Sequence, residues 1–162
     1  MTVESTINVS PSFVAPEDQV RADIYALLGN LLLKVPSRTT LEQLAALRGE
    51  DGVVGSSINT LAQVATSMDA GSVEREYNVL FIGMGRGEVL PYASYYLTGF
   101  LHEKPLADLR GSMRELGIQR KEGVVEPEDH LGALCEMMAG MITGTFGQVM
   151  SIQTQKKFFN AH

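Results

Sequence analysis

Glu126-Pro127-Glu128-Asp129-His130, running into the apolar stretch Leu131-Gly132-Ala133-Leu134-Cys135-Glu136-Met137-Met138-Ala139-Gly140-Met141-Ile142, is the part of the chain on which the reading of the fold turns. Proline at a first helical position is pre-set for helix, and acids around it offset the macrodipole by roughly 0.3–1 kcal/mol for each well-placed charge. Leu131, Leu134, Met138, Met141 and Ile142 then recur at helical spacing. The pattern predicts a helix starting at Pro127 with those side chains inward and Cys135 one position past that face, a buried thiol.

The same periodicity continues in both directions. Pro16-Glu17-Asp18 opens a first helix that carries Val20, Ile24, Leu27, Leu28, Leu31 and Leu32 to about Lys34, before Pro36. Thr40 with Gln43 has capping-box spacing ahead of Leu41, Leu44 and Leu47, and Gly49 to Gly55 reads as a turn. Ser57 opens a third helix, and Ser72 caps a fourth with Val73, Tyr77, Leu80 and Phe81 on one stripe. A glycine-rich loop, Gly83 to Gly87, leads to a helix entered at Pro91 and running to about Leu101. Pro105 starts another, with Leu106, Leu109, Met113 and Leu116 inward and Gly117 ending it, and Val149 to Phe159 forms the last. No period-two pattern stands out, so the fold class is all-α, a helical bundle.

With 162 residues the chain has the length of one domain, which buries about 68–70% of its unfolded surface. Hydrophobic residues make up 44% and charged residues 20%, the balance of a globular chain. No apolar run reaches the roughly 18 residues of a membrane span, so stable membrane insertion is not expected. Met1 to Ala15 lacks the basic and apolar regions of a secretory signal and reads as a flexible arm. A single cysteine fits a reducing compartment, and these features together place the protein in the cytoplasm. Nineteen acidic against thirteen basic side chains give a net charge of −6. That field repels nucleic acid and favours basic partners.

The acids Glu126, Glu128, Asp129 and Glu136 offer acceptors for guanidinium forks. Imidazole at His130 is pulled two ways, since the helix start disfavours its cation and the carboxylates favour it. Met137, Met138 and Met141 beside Leu134 have the adaptable chemistry of an apolar binding surface, although core positions are the commoner use of such spacing. Gly83, Gly85 and Gly87 with Arg86 suggest a cradle for a nucleotide or small anion. The loop follows a helix rather than a strand and lacks the lysine-serine pair of a Walker motif, so a helix-linking turn is favoured. His102 and His162 have no partners at metal-ligand spacing. Around His130 a single carboxylate-histidine pair falls short of a zinc or di-iron set. No nucleophile and base are paired, and neither catalysis nor a cofactor is expected.

Tyr77-Asn78-Val79-Leu80-Phe81-Ile82-Gly83, then Leu90-Pro91-Tyr92-Ala93-Ser94-Tyr95, taken with Glu126 to His130, resembles the double signature of the TorD/DmsD/NarJ family, chaperones that accompany molybdenum-containing redox enzymes during maturation. The resemblance extends from about Asp18 to the C-terminus. It implies one TorD-like helical domain over residues 16–162, after the arm at 1–15, whose partners are an apo-molybdoenzyme and its twin-arginine leader peptide. The resemblance implies that Tyr92 and Ser94 help line the peptide-binding surface and that the acids Glu126, Glu128 and Asp129 meet the basic leader. Pro91, Pro127 and His130, with Leu80 and Phe81 on a face expected to be mostly core, complete the candidate client-binding set. Tyr92 stands where the best-studied branch has tryptophan. Members of the family generally carry further helix after the segment matching Lys156 to His162. Phe158 and Phe159 would then be partly uncovered, an incentive to form a homodimer or exchange helices.

Overall fold

The computed structural model describes residues 14–162; the expected arm, apart from Val14 and Ala15, lies outside the described residues. The protein is all-α, and among the described residues there is no strand beyond an isolated antiparallel bridge between Tyr92 and His130. Its helices are α1 (Pro16–Leu33), α2 (Arg38–Ala45), α3 (Val53–Ser67), α4 (Ala70–Tyr77), α5 (Ala93–Thr98), α6 (Lys104–Glu115), α7 (Leu131–Thr143) and α8 (Ile152–Ala161). A π-turn, Asn78–Ile82, continues α4. None of these helices is long and apolar enough to cross a membrane.

Two compact units form. One holds the described residues up to Asn30 together with Tyr92–His162, and the other is Leu31–Pro91. In the first, Leu109 and Met113 of α6, Ile118, Leu134, Met137, Met138 and Met141 of α7, and Phe158 of α8 make one buried cluster. Tyr25 of α1 and Ala93 of α5 pack on its margin. Burying one such side chain is worth about 1.5–3 kcal/mol, so this cluster is what orders the unit. Gly29 lets α1 reach α7: a Cβ added there would sit 3.0 Å from the Gly132 carbonyl oxygen and 3.1 Å from Glu136 Cγ. Buried Gln155 ties α8 to both neighbours, accepting from Arg21 of α1 and donating to the Met150 carbonyl at 2.8 Å.

Met137, Met138 and Met141 are therefore core and do not form an apolar surface for ligands. Phe158, 4% exposed, is sealed in, whereas Phe159 is 63% exposed. The expectation of two uncovered phenylalanines holds only for the second, because α8 turns the first toward Met141 and its neighbours.

In the second unit α2 packs on α3, and Leu41, Leu44, Ala62 and Ala65 are buried there. The Asn59 side chain pins the intervening loop, accepting from Gly49 N at 2.8 Å and donating to Gly49 O at 3.2 Å. Tyr77 donates its hydroxyl to the Leu32 carbonyl at 2.9 Å.

Several helix starts differ from the sequence reading. Ser37, not Thr40, caps α2, and Asp69, not Ser72, caps α4. α3 begins at Val53 instead of Ser57, α5 stops at Thr98 instead of Leu101, and α7 begins at Leu131 instead of Pro127. Pro127 to His130 is a turn closed by His130 N donating to Pro127 O at 3.2 Å. Leu131, expected inward, is exposed.

Candidate functional site

The segments beginning at Tyr92 and at Glu126 are locked together inside the first unit. Asp129 supplies the N-terminus of α5 twice over: its backbone carbonyl accepts from Ala93 N and its Oδ2 from Ser94 N, both at 2.9 Å. The first N–H groups of a helix have no partner within it, so a carboxylate placed there caps α5 from 35 positions away in sequence. Ser94 is 0% exposed and Asp129 2%. Ser94 Oγ in turn accepts from His102 N at 3.3 Å, fixing the turn after α5.

His130 is the N-cap of α7. Its Nδ1 accepts from Gly132 N at 3.0 Å, which requires a lone pair on that nitrogen, and its ring meets Tyr92 edge-on at 5.2 Å. Burial lowers its pKa against the opposing pull of Glu126 and Asp129. The opposed tendencies read from the sequence thus resolve in favour of neutral imidazole, and the histidine has a structural use as a cap. At 5% exposure its ring is out of reach of a surface ligand, as are the side chains of Ser94 and Asp129. Among the described residues no group of three or more His, Cys, Asp or Glu converges as a metal site would.

The carboxylates do not present a shared row of acceptors. Glu128 takes a fork from Arg110, whose Nε and Nη2 donate at 2.8–3.1 Å, and lies 3.6 Å from Arg120 Nη1. Burial works against ionising Glu128, but hydrogen bonds from Arg110 and its own amide, with the charges of Arg110 and Arg120, lower its pKa on balance. Hydrogen bonding to Glu128 raises the pKa of Arg110 in return, against burial. Glu126 is the exposed acid of the motif, and its Oε2 accepts from the Tyr92 hydroxyl at 2.5 Å. The row of four acids expected from the sequence is corrected accordingly: Glu128 is satisfied internally, Asp129 is buried, and Glu126 remains open, with Glu136 exposed on α7.

Leu80, Phe81 and Pro91 belong to the second unit. Leu80 and Phe81 are half-buried in the π-turn, with Phe81 4.9 Å from the Tyr77 ring, and Pro91 is buried. The glycine loop has its own structural explanation. Gly83 has φ 62, and a Cβ there would lie 1.9 Å from the Arg86 carbonyl oxygen. Gly87 is packed against the backbone of Leu80 and Phe81, and Val89 N donates to Leu80 O at 2.8 Å. A turn folding back on its own helix accounts for both glycines.

Residues passed over in the sequence are the exposed ones on and after α5: Tyr96, Leu97, Phe100 and Leu101. Their signal is a short helix that buries Ser94 yet leaves Tyr96 and Leu97 exposed. It is hidden because Tyr95-Tyr96-Leu97 reads as one more apolar stretch of core.

A sequence profile described as nitrate reductase delta subunit matches residues 49–162, well over half of the chain. Proteins named Chaperone protein TorD are similar: that of Aliivibrio fischeri is 26% identical over 147 residues, covering 82% of this chain and 68% of the relative. That of Vibrio parahaemolyticus is 29% identical over 77% of this chain and 65% of its own length. The Vibrio cholerae protein is 27% identical over 90% and 75%. The chain thus spans about two thirds to three quarters of these relatives. The crystal structure of a candidate redox enzyme maturation protein from Archaeoglobus fulgidus shares the fold, with TM-score 0.53 and 19% identity, covering 81% of this chain and 75% of that one. With motifs and profile in agreement, the chain belongs to the nitrate reductase delta subunit family, the TorD/DmsD/NarJ group.

Proposed function

We propose that this chain is a dedicated cytoplasmic chaperone that binds the twin-arginine leader, or another segment, of an apo-molybdoenzyme, holds it until its cofactor is in place, and then releases it for export. Family membership and the TorD relatives support the reading. The structural observation that carries it is an apolar ledge, Tyr96, Leu97 and Phe100, left exposed on a segment whose start is fixed by buried Asp129. Exposed apolar side chains in a cluster mark interaction surfaces, and a pre-ordered ledge loses little entropy when a ligand covers it. Near its start, Glu126 is an open carboxylate oriented by Tyr92. A leader offers the complementary pair, arginines followed by an apolar stretch. Binding of this kind needs only a higher affinity for the immature client than for the finished one.

The test is a calorimetric titration with a peptide bearing two consecutive arginines and an apolar tail. Leu97→Ser with Phe100→Ser should weaken binding at least tenfold, about 1.4 kcal/mol. Glu126→Gln should weaken it less and flatten its salt dependence. Both surfaces are exposed, so the fold should tolerate the changes. Absence of binding by the unsubstituted chain, or unchanged affinity in both variants, removes the proposal.

A further inference from the structure

The same unit holds a cleft of about 460 Å³ between α6 and the connector after it, with a charge opposite to that of the chain as a whole. Arg110 and Arg114 lie one helical turn apart on α6, Arg120 lies on the connector, and exposed Ala107, with the buried Met113 and Ile118, completes the lining. Glu128 is the one carboxylate in the lining, against three guanidinium groups. Arg120 is fixed in place, its Nη2 donating to the carbonyls of Val124 at 2.6 Å and Glu126 at 3.0 Å. Arg110 spends Nε and Nη2 on Glu128, leaving Nη1, and its side chain is 51% exposed. Arg114 is exposed and has no ion pair among the described residues.

We infer that this cleft binds an acidic segment of a protein partner, with carboxylates on Arg110 and Arg114 and aliphatic side chains against exposed Ala107 and the aliphatic stems of the two arginines. Arg110 and Arg120 share Glu128, and the charge of Asp129 also acts on Arg110, so the three guanidinium groups leave one positive charge in excess, centred on Arg114, which repels a basic leader and attracts acids. Guanidinium groups take carboxylates in forks, and do so more strongly beside an apolar wall than in open water. The spacing favours a chain over a free ion: residues four apart on a helix are about 6 Å apart along its axis, and alternate side chains of an extended peptide are about 6.8 Å apart on one face. A bare phosphate satisfies the charge but leaves the apolar wall wet. This surface is separate from the α5 ledge and does not depend on leader binding.

The probe is a fluorescent heptapeptide with glutamates at its third and fifth places, leucines at its ends and serines between, titrated by anisotropy into the full chain. Binding is expected at low salt, weakened at least tenfold by Arg114→Glu and less by Arg114→Gln, with thermal melts unchanged because Arg114 is exposed. No binding, or equal affinity for wild type and Arg114→Glu, overturns the inference. Equal binding of a peptide with serines in place of the leucines, together with displacement by inorganic phosphate, also overturns it and makes the cleft a small-anion site.

Discussion

Asp129 caps the helix that begins at Ala93, its carboxylate on Ser94 N and its carbonyl on Ala93 N, so the two signature segments are parts of a single device. Removing the carboxylate strands a buried N–H, which costs about 1–3 kcal/mol. Asp129→Ala should lower the stability of the protein to urea by that amount, and Asp129→Asn, which keeps an acceptor oxygen, by less. An unchanged urea midpoint in Asp129→Ala would show that Ser94 N finds another partner.

His130 contributes to the response to mild acid. Its pKa in the folded protein lies below the ordinary 6.5, chiefly through burial. The unfolded chain therefore binds the proton first as pH falls, so the cap's contribution is complete above pH 6.5 and is lost as pH falls through the depressed folded value. His130→Asn keeps a side-chain acceptor without a titrating group and should flatten urea stability over this range. His162, whose pKa burial also lowers against the pull of Asp108, contributes with the same sign. His162→Gln therefore serves as the comparison. If His130→Asn loses as much stability as wild type between pH 6.5 and 5, the cap is not what titrates.

Gly140 is a packing position. A Cβ there would meet Phe146 Cε2 at 2.4 Å and Cζ at 2.6 Å. Overpacking of this kind costs about 1–3 kcal/mol, against about 0.5–1 kcal/mol gained by replacing glycine in a helix. Gly140→Ala should lower the melting temperature, and Phe146→Leu in the same chain should restore part of the loss. Gly111 of α6 has no atom within 4 Å of its would-be Cβ, so Gly111→Ala should raise it. A Gly140→Ala protein as stable as wild type would mean that Phe146 moves freely.

The sequence was most legible where helical spacing set burial. Leu109, Met113, Leu134, Met138, Met141 and Ile142 are all buried as the pattern predicts. Helix starts were less legible, for a specific reason at two of them. Ser37 accepts from Thr40 N and Asp69 from Ser72 N, so the residue whose sequence pattern suggests a cap is the donor three places into the helix. Both members of such a pair are small polar residues, and only backbone geometry tells them apart. The acids of the Glu126 motif were visible as acids, but the arginines that claim Glu128 come from α6 and the connector. No local pattern could announce that pairing. The buried use of Asp129 was hidden for the same reason, since its partner amide belongs to α5.

Six residues are too few for a free-standing helix in water. Since the first amides of α5 depend on Asp129, the ledge bearing Tyr96 and Leu97 keeps its shape only while the Pro127–His130 turn stays folded against it. Hydrogen exchange at Ala93 and Ser94 would then act as a gauge of that distant turn, and anything that loosened the turn would also dissolve the apolar surface.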